Sequence, residues 1–411
     1  MSSPHASAPN YDPRFAWLLG LHGLALLLVF PLGPQQARLW QPGVTGIATL
    51  VAAYPFAAVL GGLLARRLPV LPSDPRHLAG IASLAALPAA LSTGYESLLA
   101  GRLVAGAAAG LGYVAIHRAI SGAAARQAAP ASARIVAFGM PLGLWAATTY
   151  DWRAGFALLP VAYACLVFGR TRFSVSGETS PAREPRPAAL VATAALALVS
   201  SAYLTVLSGF LVFNTGRSEA HIALVLLIAA ILGLAVPHGL TFLGRRYSPR
   251  LLWLGALGLS WLSLTSLLAM RGPLMAWIAV GLNALFLITQ SARYAALAGF
   301  INPHIAAPTL PTHQTNTHLA HHFGAGLGAT LAALVITKAS ATAPLQGMTS
   351  LWLIATAITL VAGLAGLFAV QPSTSARPAA SPAAASQCFR AATSWARAVR
   401  ISIMRTPGSP T

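Results

Sequence analysis

The sequence predicts an all-α membrane protein of twelve transmembrane helices in two six-helix bundles, and three observations predict it. Hydrophobic residues make up 56% of the 411 residues and charged residues only 8%, with a mean hydropathy of +0.69. Soluble domains carry about 25% charged residues, so too little charge is present to coat a water-facing surface. A soluble enzyme, a nucleic-acid binder and a disordered chain are excluded as readings of the whole. The formal charge of +19 does not restore a nucleic-acid partner, because the arginines lie between apolar runs and form no single basic face. The second observation is a series of apolar runs, each long enough to cross a bilayer at about 17–25 residues per helix. The third is the placement of arginine at their ends.

The runs fall at about 15–33, 43–64, 78–93, 99–119, 133–150, 153–169, 188–213, 219–242, 251–269, 273–296, 313–337 and 349–370. Pro and Gly within them are compatible with membrane helices. Residues 1–14 form a polar cytoplasmic N-terminus without signal-peptide features. With that end inside, twenty of the 26 basic residues fall on the cytoplasmic side, as the positive-inside rule requires. Both termini are then cytoplasmic. The nearly Lys-free, Ala- and Arg-rich usage points to a GC-rich genome and a bacterial inner membrane. Cys165 and Cys388 offer neither a disulfide framework nor zinc-ligand spacing.

The polar segment 170–187 divides the runs six and six, giving a bundle over 15–169, a cytoplasmic linker and a bundle over 188–370. A faint repeat crosses it. Arg66-Arg67 closes span 2 and Arg245-Arg246 closes span 8, 179 residues later. Gly139-x-x-x-Gly143 in span 5 is matched by Gly324-x-x-x-Gly328 in span 11, 185 residues later. Parallel repeats of this kind build transporters with the site at their interface. The tail 371–411 starts as an Ala/Pro/Ser linker. Its residues 388–404 suit either a basic amphipathic helix on the bilayer surface or a disordered basic tail.

Span 4 reads Gly101-Arg102-Leu103-Val104-Ala105-Gly106-Ala107-Ala108-Ala109-Gly110, and spans 5 and 6 are joined by Asp151-Trp152-Arg153-Ala154-Gly155-Phe156. The first resembles the fourth-helix motif of the major facilitator superfamily, an Arg followed by glycines four and eight residues later. The second resembles that family's Trp-Arg-x-x-Phe signature. The resemblance covers about residues 14–370 and implies a secondary transporter, not an enzyme, working by alternating access as a monomer. It also implies that helices 1, 4, 7 and 10 line a central cavity, making His22, Arg102, Tyr203, Asn283, Gln290, Arg293 and Tyr294 candidates for binding or coupling. The loop after helix 2 departs from the family pattern. Arg66 stands where the family has an acid, and Arg245 does so in the second half, so the implied Asp–Arg latch cannot form in the usual way. Gly139-Met140-Pro141-Leu142-Gly143 is a loose version of an element of exporters, which implies efflux.

Gly106 and Gly110 sit one turn apart, on a face suited to close helix packing. Arg102 lies about one turn inside the outer end, so two readings stand: snorkelling to the interface, or a buried role, which the family ties to proton coupling. None of the seven acidic residues (Asp12, Asp74, Glu96, Asp151, Glu178, Glu184, Glu219) falls mid-span. A carboxylate proton relay therefore has no candidate. Histidine can take that role, because its pKa lies in the physiological range. Span 11 opens with His313, and His318, His321 and His322 follow at helical spacing. Three readings of that run compete: a polar helix start at the cytoplasmic surface, a cavity-facing proton or anion site, and a metal or haem site. An acid-poor cavity holding Arg102, Arg293 and histidines favours a small anionic or zwitterionic substrate with a free carboxylate, such as a secreted chelator. No resident cofactor or metal is expected. The alternative is a non-transporting membrane protein binding haem or metal through its histidines.

Overall fold

The computed structural model describes residues 12–30, 33–120, 132, 135–136, 139–168, 187–215, 224, 227–229, 231–233, 239, 242–243, 246–268, 285, 310–340 and 344–369. Its helices in chain order are α1 (Pro13–Leu27), α2 (Gly33–Trp40), α3 (Gly43–Arg67), α4 (Pro75–Ala90), α5 (Tyr95–Ala119), α6 (Gly139–Thr149), α7 (Trp152–Phe168), α8 (Pro187–Thr215), α9 (Pro249–Leu268), α10 (Leu310–Ser340) and α11 (Pro344–Ala369). Among the described residues, five stretches are long and apolar enough to cross a membrane: Thr45–Arg67, Tyr95–Ala119, Pro187–Thr205, Leu310–Thr337 and Ser350–Phe368. Leu60, Leu64, Leu84, Val161 and Leu364 stand exposed on the outer faces, as lipid-facing side chains do. The chain is a multi-pass membrane protein.

Eight of the expected spans coincide with described helices to within a few residues, while span 5 is described as a helix only from Gly139 to Thr149, with residues 132 and 135–136 also helical. Most of span 8 and all but Leu285 of span 10 lie outside the described residues, as do the tail and all of the segment 170–187 but Pro187, which opens α8. One difference is local. The first apolar run is not one helix to residue 33: α1 stops at Leu27 and the chain turns into the separate α2. Between α2 and α3, Gln41 (φ 49°) and Gly43 (φ 64°) both adopt left-handed backbone, and the glycine makes that turn cheap.

The acids serve helix starts and a loop. Asp12-Pro13-Arg14 and Asp74-Pro75-Arg76 open α1 and α4 in the same way: each Asp carboxylate accepts from the amide two residues on, at 2.8 Å, and Pro occupies the first helical position. Burial pushes the Asp12 carboxyl above the usual range, its bond from Arg14 partly offsetting this. Arg153 Nη1 donates to Asp151 Oδ2 at 2.7 Å and its Nε to Ser92 O at 2.8 Å. Its guanidinium also lies 4.7 Å over the Trp152 ring, and Trp152 meets Trp40 edge-on at 5.0 Å. The Trp152-Arg153 signature thus ties α7 to α2 and to the α4–α5 turn.

Small residues set the helix pairings. A Cβ at Gly106 or Gly110 would collide with Tyr54 O or Ala58 O of α3, and one at Gly61 with Ala107 O of α5. On α10, Gly324 and Gly328 press on Ala194 O and Leu198 O of α8 in the same manner. Such backbone-to-backbone seams are how membrane helices gain packing without a hydrophobic drive between them. Gly143 of α6 is packed against Leu28, just after α1, while Gly20 and Gly23 of α1 are packed against Ile135 and Val136. Both glycines of the span-11 element thus press on the backbone of α8, and Gly143 of the span-5 element packs on the Leu28 side chain.

Candidate functional site

The stripe Arg102, Gly106, Gly110, Tyr113, His117 runs along α5 at helical spacing. Its glycines admit α3, and its polar members meet α1, α3 and α10. Arg102 is 1% exposed. It does not snorkel and pairs with neither Glu96 nor Asp151. Its Nε donates to Leu50 O of α3 at 2.7 Å and its Nη1 to Ala25 O of α1 at 3.2 Å. The guanidinium carbon lies 5.2 Å from the Tyr54 ring centroid, within cation–π range, while Nη2 is buried without a hydrogen-bond partner.

Deeper along the stripe, Tyr113 organises an imidazole–phenol cluster. His318 of α10 stacks on it at 4.5 Å and 14°, and His322 approaches at 5.2 Å. His22 of α1 meets it edge-on at 5.3 Å. Tyr163 of α7 shares a 2.7 Å hydrogen bond with His22 Nδ1, and Tyr54 Oη donates to His22 O at 2.8 Å. His117 lies 5.3 Å from His318, and His321 is 5.8 Å from His322. His22, Ala25, Tyr54, Ala82, Ala105 and Tyr163 help line a small cavity, with room for roughly one water molecule. No carboxylate approaches these rings among the described residues, and no three His, Cys, Asp or Glu side chains there are set to hold a metal.

Of the three readings of the span-11 run, a solvated helix start does not describe this geometry. His313 and His322 are buried, and His318 and His321 are half-buried. The structure brings His22, His318, His321 and His322 together and sets Arg102 beside them through Tyr54. Tyr203 lies apart, buried against Trp352 at 4.9 Å. Asn283, Gln290, Arg293, Tyr294 and Arg245 lie outside the described residues; Arg67 and Arg246 are exposed at helix ends. Sequence reasoning missed Tyr54, Tyr113, His117 and Tyr163. The helical stripe from Arg102 could have found two of them, since Tyr113 and His117 continue it.

The contact between α3 and α10 is closed at both ends. Thr45 and Thr337 share a hydroxyl hydrogen bond at 3.1 Å, and at the other end Arg66 donates to Asn316 Oδ1. Between them Gly62 is packed on Leu319 and Gly326 on the Phe56 ring. Arg118 Nη1 and Nη2 donate to Leu68 O and Arg66 O at 3.0 and 3.1 Å, satisfying carbonyls at the end of α3. Where the sequence lacks the acid of the family's loop, an Arg–Asn bond joins the two helices instead.

No family model and no curated protein matches the chain. Among solved structures, a D-xylose-proton symporter aligns with a TM-score of 0.61 over 88% of this chain and 98% of that one, at 13% identity. In fold, the chain is similar to that symporter. At this identity the likeness concerns fold alone, and it supports a major-facilitator-like architecture.

Proposed function

We propose that this chain is a secondary transporter that moves a small organic anion with a free carboxylate across a bacterial inner membrane, coupled to protons. The observation that carries the reading is the cluster of Tyr113, His22, His117, His318 and His322 where α5 meets α10, which no described acid approaches. Ionisable and polar groups inside a membrane bundle cost stability and are retained for function. This cluster joins helices from either side of the 170–187 linker, and alternating access separates and rejoins such surfaces. The six-plus-six division and cytoplasmic termini follow the repeat and the arginine bias.

Two features favour an anionic cargo. Arg102 is a buried cation with an unpartnered Nη2, and every described acid is occupied at a helix start or loop or stands exposed. Among the described residues the buried carboxylate, Asp12, is engaged with Arg14 N at the start of α1, so none stands in the cluster to meet a cationic cargo. The similar D-xylose-proton symporter couples to protons, and here, among the described residues, the imidazoles of this cluster are suited to that task. The Gly139–Gly143 element favours export as the direction. Purified protein in proteoliposomes should carry labelled citrate, gluconate or glutamate faster than empty liposomes, and should leave D-xylose and ethidium unmoved. Transport of ethidium or D-xylose with none of the carboxylates contradicts the proposal.

A further inference from the structure

Resting on that proton-coupled reading, we infer that His117 Nε2 is a proton-binding site, closed by His318 and opened when α10 withdraws from α5. His117 Nδ1 lies 2.7 Å from Tyr113 O, and a carbonyl only accepts, so Nδ1 carries the hydrogen of that bond. In the neutral ring Nε2 is then a bare lone pair. That atom is buried and makes no close hydrogen bond, and the polar group that reaches the ring from α10 is the side chain of Gln314.

The surroundings decide when Nε2 can be filled. From α10 the ring meets His318, 5.3 Å away between centroids, and the side chain of Gln314. From its own helix it meets Tyr113. His22 of α1, Tyr54 of α3, Tyr163 of α7 and His321 and His322 of α10 complete the titratable groups around Tyr113 and His318. The adjacent Arg118 turns away to Leu68 O and Arg66 O, and Arg102 sits about four helical turns along α5. None of these groups is an anion. An imidazolium formed at His117 with α10 in place is a buried charge without a counter-charge.

Withdrawal of α10 removes the His318 ring and admits water. Nε2 then takes a proton from water-borne hydronium, forming one N–H bond and leaving an imidazolium with both nitrogens protonated. Reclosure with the proton aboard requires a neighbouring negative charge, which a bound carboxylate supplies. Without one, the proton returns to water before the cluster closes. Proton and carboxylate are coupled because neither charge is tolerated alone in the closed cluster.

The test reads the proton directly, with no cargo present. Protein labelled with ¹⁵N-histidine is titrated in nanodiscs, the His117 signal being identified by its loss in His117→Gln and, independently, in His117→Phe. A second sample, in a Cys165→Ser/Cys388→Ser background, is locked by a bifunctional thiol-reactive cross-linker between Arg66→Cys and Asn316→Cys, which spans the reach of the Arg66–Asn316 hydrogen bond. The expected result is an Nδ1–H tautomer at pH 8 in both samples. The unlocked protein should protonate with a midpoint between about pH 5.5 and 7.5, and the locked protein should bind the proton at least about tenfold more weakly. Equal midpoints in the two samples, or an Nε2–H tautomer at pH 8, overturn the inference. Carboxylate transport by a protein whose locked and unlocked midpoints agree defeats this inference alone, whereas absence of carboxylate transport defeats the proposed function.

Discussion

Tyr113 of α5 and His318 of α10 lie face to face, their ring centroids 4.5 Å apart at 14°. One ring belongs to the chain before the 170–187 linker and the other to the chain after it. Stacking of this kind holds two helices together without a hydrogen bond or a charge, so it can part and re-form without stranding a polar group. Tyr113→Phe keeps the face and should support carboxylate transport within about threefold of wild type. Tyr113→Ala removes it, adds a cavity, and should lower the thermal unfolding midpoint measured in detergent.

Arg102 is expected to fail on conservative replacement. Its Nε and Nη1 reach carbonyls on two different helices, and a lysine ammonium cannot reproduce that planar fork. Arg102→Lys should lose most carboxylate transport, nearly as Arg102→Ala does, and both should unfold at lower temperature. Near wild-type transport and midpoint in Arg102→Lys would mean that only the charge matters.

The glycine seams make a paired prediction. Gly110→Ala sets a Cβ against Ala58 O, and Gly324→Ala sets one against Ala194 O, both backbone atoms that cannot swing aside. Each should destabilise the protein by about 1–3 kcal/mol, the usual scale of overpacking. Gly80→Ala and Gly255→Ala meet nothing within 4 Å and should leave the unfolding midpoint in place. Equal effects in the two pairs would dissociate the seams from stability.

Arg66 and Asn316 close one end of the α3–α10 contact. Arg66→Ala should open that end, and a cysteine at Leu319, which packs on Gly62 inside the contact, should then react several-fold faster with a membrane-impermeant maleimide. An unchanged labelling rate would show that the bond does not hold the contact shut.

Helix positions were legible because twenty apolar residues in a row have few alternatives, and Arg102 with Gly106 and Gly110 marked the close face of α5. The break between α1 and α2 was not, because the run through Leu28, Val29 and Phe30 stays apolar across a turn that backbone geometry alone dictates. Arg102 could not be assigned partners from sequence, since backbone carbonyls of α1 and α3 carry no residue-type signal. Tyr113 and His117 were passed over for a related reason. Their meaning depends on α10 arriving opposite them, and nothing local to α5 encodes that approach. His318 and His322 were legible as a pair through their spacing, and the structure adds the tyrosine between them and α1.

Lumenal pH in proteoliposomes is the most direct test of proton-coupled carboxylate transport. With a trapped pH dye, a membrane-potential clamp and an imposed citrate, gluconate or glutamate gradient, wild-type protein should shift lumenal pH in step with labelled carboxylate. His318→Gln should flatten the pH dependence of that flux between about pH 5.5 and 7.5 while unfolding at an unchanged temperature. Carboxylate flux with no accompanying pH change beyond that of empty liposomes, or a pH profile identical in wild type and His318→Gln, would contradict it.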